Sequence, residues 1–196
     1  CCHGFYNTRS DPGGLSEEDE RAWYQDAIDT LKRTTGKQLK GLNVLGRCTE
    51  RTPDMLAELG LIYHADYFHD DQPQPIRVNK GKLVSVPYAA ELNDSLLVSR
   101  NRAHELDYLY QMCKDQFDRL YAEGAENGMV MCLALHPWVV GYPWRIGYLD
   151  KILSYVMGHS GVWQTTADDI AGHYIANYYD ETVAHMEKLK SSQGQS

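Results

Sequence analysis

An apolar run, Met129 to Leu135, ends abruptly in His136, and a titratable imidazole at the end of such a run is the chain's clearest candidate for chemistry. The run (Met, Val, Met, Cys, Leu, Ala, Leu) has no charge and no strict alternation, which predicts a strand buried on both faces. Pro137 to Arg145 follows, rich in Pro, Gly and Trp; Trp138 gives it an aromatic wall and Arg145 a cation, as suits the rim of a substrate pocket. Three more polar clusters stand just after apolar runs or turns: His3 to Asn7, Arg47 to Thr52, and Asp66 to Asp71. In a parallel sheet all strand ends point to one face, so the sequence predicts that the four clusters meet there. Histidines, carboxylates and arginines together suit general acid/base hydrolysis, with an arginine orienting a carboxylate or steadying an oxyanion.

Each residue also has a plainer reading. A strand-end histidine can be a hydrogen-bonded structural group, Asp70-Asp71 a solvated turn, and Arg47 a surface ion pair of small energetic value. Cys48 beside Arg47 could act as a nucleophile with a lowered pKa, although no histidine is near it in sequence. For a metal, His3 and Asn7 are four apart, but asparagine is a poor substitute for a second imidazole. Asp70 and Asp71 near His64 or His69 offer further oxygen and nitrogen donors.

The elements that must position these groups belong to a chain of 196 residues, 43% hydrophobic and 23% charged, enough for a sizeable core. Against 27 acidic residues stand 19 Lys and Arg, a net charge of −8, and no basic stretch interleaves with aromatics, which argues against nucleic acid as a partner. No segment approaches the roughly 20 apolar residues of a membrane-spanning helix, and the expected compartment is the cytoplasm. The five cysteines lack CxxC spacing, against both a disulfide framework and a thiolate zinc site.

Ser16 followed by Glu17, Glu18 and Asp19, with Ala22, Trp23, Ala27, Ile28 and Leu31 at helical spacing, predicts a helix over about 17–35 that Gly36 ends. Leu42 to Leu45 reads as a strand, Thr52-Pro53 as the start of a helix that Gly60 ends, and Leu61 to Tyr63 as the next strand. Residues 72–82 read as a loop, 83–87 as a strand, 88–101 as an excursion from the core, and about 104–122 as a long helix. The strand 129–135, a helix over 144–157, a strand at 162–165 and a helix capped by Thr166 complete the order. Such alternation predicts an α/β fold with a mainly parallel sheet, open or curled into a barrel. We read residues 1–190 as one domain and 191–196 as a flexible tail. Because Cys1-Cys2-His3-Gly4 looks like a turn that follows a strand, an N-terminal strand upstream of residue 1 is expected.

With these clusters in view, the chain resembles the polysaccharide deacetylase (NodB-homology, carbohydrate esterase 4-like) superfamily, and more closely its allantoinase-like branch. The resemblance rests on His3-Gly4-Phe5-Tyr6, Gly46-Arg47 with Thr49 and Thr52, Ala65-Asp66-Tyr67 with Asp70-Asp71-Gln72-Pro73, and Val86-Pro87-Tyr88 with Glu91 to Asp94. It continues through Leu135-His136-Pro137 with Gly141, Pro143 and Arg145, and closes on Val162-Trp163. It implies an irregular (β/α) barrel, of which this chain would be the C-terminal two thirds, and hydrolysis of non-peptide C–N bonds. The expected substrate is a small polar amide, cyclic or linear, of the allantoin, hydantoin or imide type.

By the same resemblance His136 takes the place of the general acid that protonates the leaving group, Arg47 that of an arginine orienting carboxylates, and Asp66 that of the fourth motif's aspartate. Glu91 and Asn93 stand in a substrate-contacting insert, and His3 matches the first histidine of a motif that binds metal in the deacetylases. Where those deacetylases carry a second histidine this chain has Asn7, so metal-independent chemistry is favoured over zinc or another divalent metal. The family's Asp-rich first motif is not among these residues. Two alternatives stay open: a metal-dependent N-deacetylase of amino sugars, and a non-catalytic binding or assembly subunit. An unclosed sheet edge would call for a homo-oligomer, an upstream segment or a partner chain to cover it.

Overall fold

Ser16 caps the first helix as its side chain dictates: its Oγ accepts the Asp19 backbone N–H, four acidic residues fill the first turn, and Gly36, at φ 71°, stops the helix. This helix, α1 (Glu17–Thr35), begins the region described by the computed structural model, which covers residues 14–44, 48–98 and 106–193. The described residues fall into two compact units. One is drawn from 1–67, 73–86 and 165–196, the other from 68–72 and 87–164.

The first unit holds a mixed four-stranded sheet of order β1-β2-β4-β3, with β1 (Gly41–Leu42), β2 (Tyr63–His64), β3 (Gln74–Ile76) and β4 (Leu83–Ser85). β1, β2 and β4 run parallel, in the register Leu42 to His64 and His64 to Ser85. β3 is antiparallel and lies within the stretch expected to be loop. Pro75 sits in it without loss because an edge strand has one row of backbone donors with no partner to serve. Strand alternation sends Leu42 and Leu83 into a core with Tyr24, Ile28, Met55 and Leu56 from α1 and α2 (Thr52–Glu58). Tyr63 and Val84 instead join Ala171, Tyr174 and Tyr179 from α7 (Ala167–Asn177) and α8 (Tyr179–Gln193). Helices thus cover the sheet on both faces, the α/β arrangement the alternation implied.

In the second unit a 3-10 turn (Ala90–Leu92) leads into α3 (Asp94–Val98), and α4 (Leu106–Glu123) packs on α6 (Ile146–Met157). Leu92, Leu106, Leu109, Cys113, Val140 and Ile152 form its core. The expected strand 129–135 is not one. The run is only half-buried, and among the described residues its sole bridge is Asn93 to Ala134. Its neighbour, residues 90–98, coils into helical turns and leaves no ladder to join. Residues 162–165 likewise form no strand, and Trp163 among them is exposed. The loop after His136 opens with a short helix, α5 (Pro137–Val140). Among the described residues no helix is long and apolar enough to cross a membrane.

Gly41 marks the tightest approach in the sheet, since a Cβ there would lie 2.1 Å from the Tyr63 ring. That ring is fully buried and its hydroxyl donates to Asp168 at 2.8 Å, so it cannot swing aside. Gly41→Ala is expected to cost about 3 kcal/mol in a urea unfolding experiment, and a loss below about 0.5 kcal/mol would show that the ring yields.

Candidate active site

His136 stands in the second unit where Asp94 can hold it at two points. The Asp94 carboxylate accepts the His136 backbone N–H at 2.9 Å through Oδ2 and faces its Nδ1 at 2.6 Å through Oδ1. The segments are tied independently of these side chains: Asp94 N–H donates to the Ala134 carbonyl and Ala134 N–H to that of Leu92. Asp94 is fully buried while the His136 side chain is 24% exposed, so one partner is locked and the other reaches solvent. An imidazole whose Nδ1 is engaged by a buried carboxylate is fixed in orientation and leaves Nε2 for a further partner, a geometry suited to proton transfer. By the resemblance Asp94 belonged with Glu91 and Asn93 to a substrate-contacting insert; the structure instead sets it behind His136. The signal was a carboxylate placed just past the apolar Leu92, at the entry to a short helix.

The loop after His136 supplies the aromatic wall. The Trp138 ring lies 4.8 Å from the imidazole and is 64% exposed, available to stack on a bound molecule. Arg145 turns inward. Its Nη1 donates to the Val139 carbonyl at 3.0 Å and its guanidinium lies 4.2 Å from the Trp144 ring, which fastens the loop. Asn93 is buried, with Nδ2 donating to the Tyr88 hydroxyl and Oδ1 accepting from Ser95 and Leu96 in an Asx turn. Glu91 lines an open cavity of about 320 Å³ with Phe68, Asp70, Asp71, Tyr88 and Gln116. Burial and the nearby charges of Asp70 and Glu91 hold the Asp71 carboxyl above its ordinary pKa, while a hydrogen bond from Gln116 opposes them.

In the first unit, sequence reasoning missed a second constellation. His64 Nε2 lies 3.1 Å from Asp66 Oδ2 and 3.1 Å from Cys48 Sγ, and the thiol donates to the same carboxylate at 3.4 Å. His64 and Asp66 are two apart at the end of β2, so alternation turns both side chains to one face; that was the available signal. Both carboxylate oxygens also accept the Val44 N–H at 2.9 Å. Burial works against the charge on Asp66, yet the hydrogen bonds from His64, Val44 and Cys48 outweigh it and hold the carboxyl below its ordinary pKa. For Cys48, burial and then the Asp66 charge push the thiol well up, which disfavours the thiolate a nucleophile needs. The Cys48 loop is anchored from below by Glu20, fully buried, which accepts from Thr49, Thr52 and Arg51. His3 and Arg47 lie outside the described residues.

No family model matches the chain. It is 30% identical, over 126 residues, to a Schizosaccharomyces pombe protein named "Putative polysaccharide deacetylase", a match covering 59% of this chain and 39% of that one. The crystal structure of PuuE allantoinase superposes with a TM-score of 0.81 at 31% identity, covering 91% of this chain and 59% of that one. A Pseudomonas aeruginosa structure titled "probable Polysaccharide deacetylase" gives 0.81 at 28% identity with the same coverage. In fold and in sequence the chain is thus similar to an allantoinase and to proteins named as polysaccharide deacetylases. A Mycobacterium smegmatis structure, at 22% identity and a TM-score of 0.75, agrees in fold. The chain spans less than two thirds of the length of each of these relatives.

Because Asp66 ionises more readily in the folded chain than in the unfolded one, it adds stability that is present above the ordinary aspartate pKa of about 4 and is lost as pH falls through the lower folded value. Asp66→Asn should therefore lower the urea midpoint at pH 7 and shrink the drop between pH 7 and pH 3. An unchanged drop would remove Asp66 from the acid limb.

Proposed function

We propose that this chain carries the proton-donating part of a hydrolase of non-peptide C–N bonds, acting on a small polar cyclic or linear amide of the allantoin, hydantoin or imide type. The observation that carries the reading is His136, held by a buried Asp94 at both its backbone N–H and its Nδ1. Water adds to the amide carbonyl with loss of a proton to solvent; as the C–N bond of the tetrahedral intermediate breaks, the departing nitrogen takes a proton from His136 Nε2, and the imidazole recovers one from solvent afterwards. Asp94 keeps the Nδ1 proton throughout and offsets the positive charge of the imidazolium. Trp138 would flank the substrate, and Arg47, by the resemblance, would orient it. The likeness to an allantoinase supports the amide substrate class.

The names of the fungal and Pseudomonas relatives favour a second reading, N-deacetylation of amino sugars. In its metal-dependent form that reaction calls for two imidazoles four residues apart, and the donor set here is His3 and Asn7. A neutral carboxamide does not fit that place, so no step is drawn through a metal.

Turnover of allantoin, hydantoin, a cyclic imide and an N-acetylated amino sugar by the protein carrying this chain separates the two. His136→Gln is expected to lower kcat for the amide substrate by about 10²–10⁴-fold with the circular dichroism spectrum unchanged. Near-normal activity of that variant would exclude His136 as the acid, and turnover of the amino sugar alone would select the second reading.

A further inference from the structure

We propose that Cys48, His64 and Asp66 form a binding site for a divalent cation of borderline softness, with zinc the best match to a sulfur, nitrogen and oxygen donor set. The ligand atoms already stand close to the shape such an ion requires. In a tetrahedral zinc site, bond lengths of about 2.3 Å to sulfur and about 2.0–2.1 Å to nitrogen and oxygen set the ligand edges at about 3.3–3.5 Å. The observed separations are 3.1 Å from Sγ to Nε2, 3.1 Å from Nε2 to Oδ2 and 3.4 Å from Sγ to Oδ2. Each edge must open by no more than about 0.4 Å to admit the ion. Cys48 comes from the loop before α2, and His64 and Asp66 from the end of β2, where the His64 carbonyl accepts the Val86 N–H and the Asp66 carboxylate accepts the Val44 N–H.

A second observation concerns the far side of the imidazole. His64 is fully buried and its Nδ1 has no hydrogen-bond partner. On the neighbouring strand its register partner is Ser85, whose Oγ is likewise buried and without a partner. In a hydrogen-bonded triad without metal, the single proton of neutral His64 serves Asp66 from Nε2, and Nδ1 is left as a bare buried acceptor. An ion on Nε2 places that proton on Nδ1, and the hydroxyl of its register partner Ser85 would have to close on the ring to accept it. Metal-bound histidines almost always carry such a supporting hydrogen bond on the second nitrogen.

Loading replaces the thiol proton by the ion: the S–H proton leaves to solvent, the sulfur–metal bond forms, and no oxidation state changes. Cys48 is half-buried and Tyr67, whose ring lies 5.1 Å from that of His64, is 38% exposed, so an ion can enter past them. Three protein donors leave one tetrahedral position for water or another small ligand. The site uses neither His136 nor Asp94.

Cobalt(II) added to the metal-stripped protein tests this directly. One ion per chain should bind, with a thiolate-to-cobalt charge-transfer band in the near ultraviolet and strong visible bands of four-coordinate cobalt, and zinc should displace it. Cys48→Ser should abolish the charge-transfer band and weaken zinc binding by more than the roughly 10–100-fold that loss of a supporting partner costs, whereas Ser85→Ala should keep the band and weaken binding within that range. His136→Gln should bind the ion as the unaltered protein does, so this site and the proposed hydrolysis fail separately. Weak visible bands of six-coordinate cobalt, no charge-transfer band, or zinc binding undiminished in Cys48→Ser would each overturn the proposal.

Discussion

A carboxylate withdrawn from water must have its lone pairs met by donors, and this requirement organises the polar clusters around Glu20, Asp66 and Asp94. Glu20 and Asp94 are fully buried and Asp66 nearly so. Each gathers donors from a different segment: Glu20 the hydroxyls of Thr49 and Thr52, Asp66 the Val44 N–H with His64 and Cys48, Asp94 the backbone and ring of His136. Such groups add little net stability compared with apolar packing of the same volume, but removing one partner leaves the rest unsatisfied. Their effect is geometric. Loops that would otherwise wander are pinned to strand ends, and the reactive side chains they carry are fixed in one rotamer.

The two units use this device differently. In the second, the carboxylate is closed off and the imidazole open, so the pair is asymmetric and one ring nitrogen remains to meet a substrate. In the first, the carboxylate, imidazole and thiol face one another, and their protons are shared inward. That difference separates a proton donor from a cluster suited to hold an ion.

Helices with strong local signals were legible in the sequence. The Ser16 cap, the acidic first turn and Gly36 bounded α1, and Pro53 and Gly60 bounded α2, because those signals lie within a few residues of the structure they specify. The run 129–135 was misleading for the opposite reason. Apolarity predicts burial, but a strand also needs a partner with a free edge, and whether residues 90–98 would provide one is a tertiary fact. β3 was missed because Pro75 and its polar neighbours describe an edge strand as well as they describe a loop. His136 was singled out by its position at the end of an apolar run, although the run is not a strand. Its partner Asp94 lies 42 residues away in sequence, and Arg145, which looked like a ligand-binding cation, is spent on its own loop. Likewise Cys48 has no histidine near it in sequence, while His64 meets it across the fold.

The central claim is that Asp94 fixes the His136 imidazole with its proton on Nδ1 and leaves Nε2 to exchange protons with a substrate. Nitrogen-15 NMR of the His136 ring reads this directly. The account predicts a neutral imidazole protonated on Nδ1, with Nε2 the atom that gains and loses a proton as pH changes, and a shift of that pattern in Asp94→Asn. A neutral ring protonated on Nε2, or a pattern unaltered by Asp94→Asn, would contradict it.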